Sequence, residues 1–199
     1  MGTKLEKGTY GYLDRNRRYA WRKTILMLTI PILIFLAAWM IHGTRENVMT
    51  VVAVVGCLPG CNQMVRAILA GRYRSIDQGF QENVEAVRGN RLVLYENVFT
   101  SYERNYYVDC MVISGRTVAG YSSDQKLDPG KAAAHVRTML KNSAYKQNVE
   151  ILKDPQVFLK RVEQMALEEP EEVPFQGDDR YPGWTREEII RHLLSAFSL

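Results

Sequence analysis

Residues 24–41 (TILMLTIPILIFLAAWMI) run without a charge, and a helix of that length, at about 1.5 Å per residue, covers roughly 27 Å, close to the depth of a hydrocarbon core. The run predicts a spanning helix. Trp39, Met40, Ile41 and His42 stand where a cleaved leader would need small residues, and a second apolar run follows within a few positions, which argues against a signal peptide. Pro31 removes one backbone hydrogen bond mid-span, a defect membrane helices tolerate. The second run, 49–69, carries Asn62, Gln63 and Arg66 towards its end. With Arg66 snorkelling to the headgroups it reads as a second span, the alternative being a re-entrant or interfacial helix.

Beyond the membrane runs the pattern shortens. Residues 76–87 predict a linking helix closed by Gly89-Asn90; 91–101, 106–113 and 116–122 predict three strands, the last two forming a hairpin across Ser114-Gly115. Residues 106–113 (YYVDCMVI) are apolar on both faces, the mark of a central strand covered on each side. Asp128-Pro129 opens a helix with Ala132, Val136, Met139 and Leu140 inward; 148–152 is a short strand; Asp154-Pro155 opens another helix with Phe158, Leu159, Val162 and Ala166 inward. Residues 168–179 (EEPEEVPFQGDD) have the composition of an acidic linker. Thr185 and Glu188 form a capping box, after which Ile189, Ile190, Leu193, Leu194 and Phe197 line one face of a closing amphipathic helix, expected to fold back onto the domain.

The expected fold is therefore α/β: a transmembrane helical hairpin, then a small cytosolic α/β sandwich (helix, three antiparallel strands, helix, strand, helix) and the amphipathic helix. Its divisions are a basic segment at 1–23, the hairpin at 24–70, the α/β domain at 71–167, the linker at 168–184 and the closing helix at 185–199.

The whole chain has 199 residues, 46% hydrophobic and 24% charged, with 26 Lys and Arg against 22 Asp and Glu. Those averages exclude a disordered or collagen-like chain and a supercharged nucleic-acid arm. Charge is informative by position. Lys4, Lys7, Arg15, Arg17, Arg18, Arg22 and Lys23 precede the first span and Arg66, Arg72 and Arg74 close the second, whereas the connecting loop offers Arg45 alone. Both termini are thus expected in the cytoplasm, with Tyr19, Trp21 and Trp39 as interfacial anchors. The basic segment serves as a topology signal, and as a holder of anionic lipid at roughly 1 kcal/mol per well-placed cation. Gly56 and Gly60 form a GxxxG spacing with Ala53, Cys57 and Cys61 nearby, which suits packing against the first span or a homo-oligomer seam. Cys57, Cys61 and Cys110 give no disulfide framework, and His42, His135 and His192 have no metal-ligand spacing; no cofactor or metal is expected.

One constellation bears on chemistry. Asp109 interrupts the apolar central strand, and a carboxylate buried there must be hydrogen-bonded, paired or functional. The element order with Asp109 resembles the restriction-endonuclease-like fold, in particular nuclease-related (NERD) domains, over roughly 78–152. That resemblance implies a divalent metal held by an Asp in the second strand and a Glu-x-Lys or Asp-x-Lys in the third, for phosphodiester hydrolysis. Asp124-Gln125-Lys126 supplies a formal Asp-x-Lys. With Ser114-Gly115 as the turn, however, Asp109 faces Gly120, and Asp124 falls four residues further on, about 13 Å away. The family's acid and lysine positions are then held by Gly120 and Ser122. Tyr102, Tyr106, Tyr107 and Tyr121 with Arg104 and Arg116 suit a stacking surface for nucleic acid, or simply the tyrosine content of strands.

A short hairpin followed by a small cytosolic domain is also similar to two-span membrane proteins of Gram-positive bacteria, a resemblance that implies no activity. The expected function is a non-enzymatic binding or scaffolding domain anchored in a bacterial plasma membrane, with the bilayer and an unidentified protein as partners and nucleic acid not expected among them. The alternative is a membrane-tethered metal-dependent nuclease using Asp109, Asp124 and Lys126.

Overall fold

The structure, a computed structural model, describes residues 7–42, 48–101, 104–169, 175 and 177–198. The expected outer loop with Arg45, the middle of the acidic linker, Lys4 and Tyr102 lie outside the described residues. Two compact units divide the chain: Leu13–Arg74, and Met1–Tyr12 with Ser75–Leu199.

The first unit is a helical hairpin of α1 (Tyr12–His42) and α2 (Val48–Ala70). α1 begins well before the apolar run, because the Arg and Lys residues at 15–23 are good helix formers and nothing between them and Thr24 breaks the ladder. The expected basic segment is therefore, from Tyr12 onward, part of the helix. Thr24, Pro31 and Ala38 are buried on α1, and Ala53, Gly60 and Ala67 on α2, each set at a seven-residue spacing. That spacing keeps one stripe of small residues on the partner helix. A Cβ at Gly60 would lie 2.5 Å from Leu28 Cδ2, and one at Gly56 3.4 Å from Pro31 Cβ. The GxxxG seam is thus occupied by α1. Gly60→Leu should consequently push the helices apart and lower hairpin stability by about 1–3 kcal/mol, with Gly56→Ala close to neutral; thermal unfolding of the full chain in detergent tests this. A Gly60→Leu variant as stable as the wild type would show that the helices do not need the contact.

Only 17% of each helix's apolar window is buried, and side chains such as Ile25, Leu26, Ile30, Leu33, Val51, Val55, Leu58 and Ile68 are exposed. Both helices are long and apolar enough to cross a membrane.

In the second unit, α3 (Gln78–Val87) precedes β1 (Leu92–Thr100), β2 (Asn105–Ser114) and β3 (Thr117–Tyr121); α4 (Pro129–Asn142), β4 (Asn148–Leu152), α5 (Pro155–Leu167) and α6 (Arg186–Phe197) follow. Asp77, Asp128 and Asp154 cap α3, α4 and α5 by accepting from first-turn amides, and Thr185 with Glu188 closes the expected capping box on α6. The four strands lie in the order β1-β2-β3-β4, antiparallel except for the parallel pair β3/β4. α4 and α6 cover one face, burying Leu94, Phe99, Met111, Val118, Leu140, Ile190 and Leu194; α3 and α5 cover the other, burying Val84, Tyr95, Val112, Phe158 and Val162. This is the expected α/β sandwich, with the closing helix built into its core.

β1 is an edge strand, whose outward amides would be a template for another chain. Two terminal pieces cover it. Gly8 O accepts from Tyr95 N (2.9 Å), and the Ser198 hydroxyl accepts from Val98 N (2.9 Å). Lys7 joins the pieces, its Nζ donating to Ser198 O (2.8 Å) while its carbonyl accepts from Ser195 Oγ (3.3 Å). Gly8, at φ +79°, could not carry a side chain, since a Cβ would fall 2.6 Å from Leu94 Cδ2. Residues 7–12 of the expected basic segment therefore belong to the α/β unit.

Candidate functional site

The β2–β3 turn decides where Asp109 points. Ser114 pairs with Thr117, so the two turn residues are Gly115-Arg116, with Gly115 at φ +55° in the first central position, where a tight hairpin favours glycine. The expected Ser114-Gly115 turn is corrected by two residues of register. Met111 pairs with Gly120, which continues to Asp109 opposite Ser122, not Gly120.

Both strands at this level also change which face their side chains take. On β1, Leu92 and Leu94 lie towards α6, Val93 and Tyr95 towards α3 and α5, yet Phe99 returns to the α6 side; on β2, Tyr106 and Val108 share a face with Met111 and Ile113. Strict alternation is broken once on each strand, at Glu96 and at Asp109, which the register sets opposite one another. Glu96 has φ +58°, a conformation that costs a non-glycine residue of order 1–2 kcal/mol. Because both strands slip together, pairing resumes in the same register on either side.

The two carboxylates leave the strand pair towards different neighbours. Glu96, 1% exposed, accepts from Gly11 N (2.8 Å), outside the β1 edge. Asp109, 3% exposed, accepts from Ser123 N (2.6 Å) and Ser123 Oγ (3.0 Å), with the Tyr107 hydroxyl as a further hydrogen-bond partner. Burial pushes the Asp109 carboxyl above the ordinary carboxylate range, against the opposing effect of those bonds. Burial first, and the neighbouring Asp109 charge second, also push the Cys110 thiol and the Tyr121 hydroxyl up.

The other members of the expected metal site do not join it. Asp124 Oδ1 accepts from the Lys126 amide (2.9 Å), closing its own loop, and exposed Lys126 offers its carbonyl to Arg104 (2.8 Å). Ser122 buries its hydroxyl against Tyr107 O (2.5 Å), so the position opposite Asp109 holds neither acid nor lysine. Among the described residues, no three His, Cys, Asp or Glu side chains are grouped to hold a metal ion. Among the described residues, the expected tyrosines are equally dispersed. Tyr106 is buried on the α4/α6 side beside His135, whereas Tyr121 packs between Phe80 and Phe158 on the other face. Tyr106 and Tyr121 therefore share no stacking surface. His192 lies against Tyr181 and Trp184, and Cys57, Cys61 and Cys110 are all free thiols.

Asn97 was not singled out by its sequence context. It is fully buried, and neither atom of its amide group has a hydrogen-bond partner. Glu96-Asn97 within an apolar strand is the signal that could have marked the break in alternation.

What these observations define is a class: an α/β sandwich with a carboxylate held by its own loop, joined to two helices of membrane-crossing length and apolarity. No family model, curated protein or solved structure matches the chain.

Proposed function

We propose that the chain is a multi-pass protein of a bacterial plasma membrane whose cytosolic α/β domain binds or scaffolds another protein and catalyses no reaction. The observation that carries the reading is the hairpin surface. Side chains of Ile, Leu, Val and Met cover most of both long helices outside their common seam, an apolar area far beyond what a water-soluble monomer exposes. Lipid is the solvent that suits it. The Lys and Arg bias at the open end of the hairpin favours cytoplasmic termini. The Asp109 geometry supports a non-enzymatic domain, since both carboxylate oxygens are engaged by Ser123 and Asp124 accepts from the backbone of its own loop.

Topology provides the first test. A cysteine introduced at Thr44 should react with an impermeant thiol reagent added to intact cells, and one at Ser123 should react only after lysis. Labelling of both from outside, or of the second alone, would reverse the assignment. The catalytic half of the reading is tested separately, by incubating the full chain in detergent with DNA and RNA in Mg²⁺ or Mn²⁺. No cleavage is expected; a metal-dependent activity abolished by Asp109→Asn and Lys126→Ala would replace the scaffold with a nuclease.

A further inference from the structure

The hairpin contacts fix the heights at which the two helices carry charge. Leu28 of α1 lies against Gly60 of α2. Six residues towards the N-terminus from Leu28 is Arg22, and six towards the C-terminus from Gly60 is Arg66. In antiparallel helices both steps run the same way, about 9 Å from one contact, so the two arginines occupy one level. Lys23 adds a third cation there. The helices are still side by side further on, because a Cβ at Gly71 would lie 3.8 Å from Arg17 Cδ.

Three features coincide at this level. The apolar run of α1 begins immediately after it, at Thr24. Tyr19 and Trp21, half-exposed on the adjoining turn, are the aromatic types that settle at headgroup depth. Arg22, Lys23 and Arg66 are exposed, and none has an ion pair or side-chain hydrogen bond among the described residues. Arg15 and Arg18 extend the charge along the Arg22 side of α1 at helical spacing. Cations contributed by one helix would be a topology signal and nothing more. Cations brought to one depth by both helices form a collar, and guanidinium groups at phosphate depth are matched in shape and charge to phosphodiester oxygens.

From this arrangement we infer that the collar of Arg22, Lys23 and Arg66 is a binding site for anionic phospholipid headgroups. A zwitterionic headgroup sets its own ammonium against the same cations, which is the basis of discrimination. The inference rests on the membrane-spanning reading of α1 and α2, and deepens it by naming the lipid class.

The test uses the full chain in a non-ionic detergent, titrated with phosphatidylglycerol, phosphatidylcholine or inorganic phosphate. Bound lipid is read by native mass spectrometry and the melting temperature by circular dichroism. At roughly fivefold per cation for three cations, the wild type should bind phosphatidylglycerol at least about tenfold better than phosphatidylcholine and melt higher with it. Inorganic phosphate should do neither. The triple variant Arg22→Gln, Lys23→Gln, Arg66→Gln should lose the preference while keeping its circular dichroism spectrum, and Arg22→Lys with Arg66→Lys should retain most of it. Equal affinity for the two lipids, a preference that survives the triple variant, or full competition by inorganic phosphate would each overturn the site. Alkaline carbonate extraction of cell membranes separates the two levels of the claim. A chain that stays in the pellet yet shows no lipid preference refutes the collar alone, whereas a chain released to the supernatant refutes the membrane reading itself.

Discussion

Ending the chain after Asp179 is expected to abolish cooperative folding of the α/β unit. α6 places Ile189, Ile190 and Leu194 at 0% exposure, and Leu193 at 8%, against β1 and α4. At about 1.5–3 kcal/mol for each buried side chain the four contribute roughly 6–12 kcal/mol, a range that spans most of the net stability of an ordinary domain. The deletion also removes Arg186 and Glu187, which grip the β2–β3 turn through Gly115 O (2.9 Å) and Gly115 N (2.6 Å), and Ser198, which accepts from the β1 edge. Loss of the sigmoidal melting transition of the full chain in detergent is the expected readout. Since a truncated chain can fail for several reasons, Leu194→Ala offers a graded version, at about 2–5 kcal/mol, with exposed Arg191→Ala as a control within about 0.5 kcal/mol. A truncated chain that still melts cooperatively at the wild-type temperature would show α6 to be an accessory.

That α6 belongs to the core could be read from five apolar positions at helical spacing behind a capping box, and the same holds for the Asp-Pro starts of α4 and α5. Local signals of this kind are written in adjacent residues. What escaped the sequence depends on residues far apart. The β1 edge is covered by Gly8 and Ser198, which lie at opposite ends of the chain, and neither residue type advertises a partner. The hairpin register turned on whether Gly115 is the first or second residue of its turn; both choices keep every side chain on its face, so the apolar pattern could not separate them, although glycine's tolerance of φ +55° favoured the first. The simultaneous slip at Glu96 and Asp109 is invisible to period-two reasoning on either strand alone, because its cost is offset only when both strands make it together. The consequence for function is direct: a carboxylate that regular alternation from Met111 and Ile113 would have turned into the α4/α6 core is instead held by Ser123, in the loop that follows β3.

Asp109→Leu is expected to destabilise the α/β unit by about 1–3 kcal/mol, and Asp109→Asn by much less. The leucine leaves the buried Tyr107 hydroxyl and the Ser123 amide without their acceptor, and it is the unpaired donors that make such a change costly. Ser123 is itself exposed, so water can recover part of its loss, which keeps the figure at the scale of one buried group. Asparagine can reproduce most of the arrangement: its oxygen accepts from Ser123 N, and its amide donates to Ser123 Oγ, reversing one bond while breaking neither. The two forms also differ in pH dependence. Burial raises the Asp109 carboxyl in the folded state, so between the ordinary aspartate value and the raised one the folded chain binds more protons than the unfolded chain. Stability from this group is therefore fully present at low pH and declines as pH rises through that interval. Asparagine has no such term. Denaturant unfolding of both chains should thus show the stability of Asp109→Asn, relative to wild type, rising from acid towards neutral pH and then levelling. Glu85, whose carboxyl lies below its usual range because bonds from Tyr95 and Arg88 outweigh burial, is common to both chains and cancels in the difference. A difference that falls with pH would place Asp109 in the opposite role, as a carboxylate stabilised in its charged form by a cation or a bound metal ion.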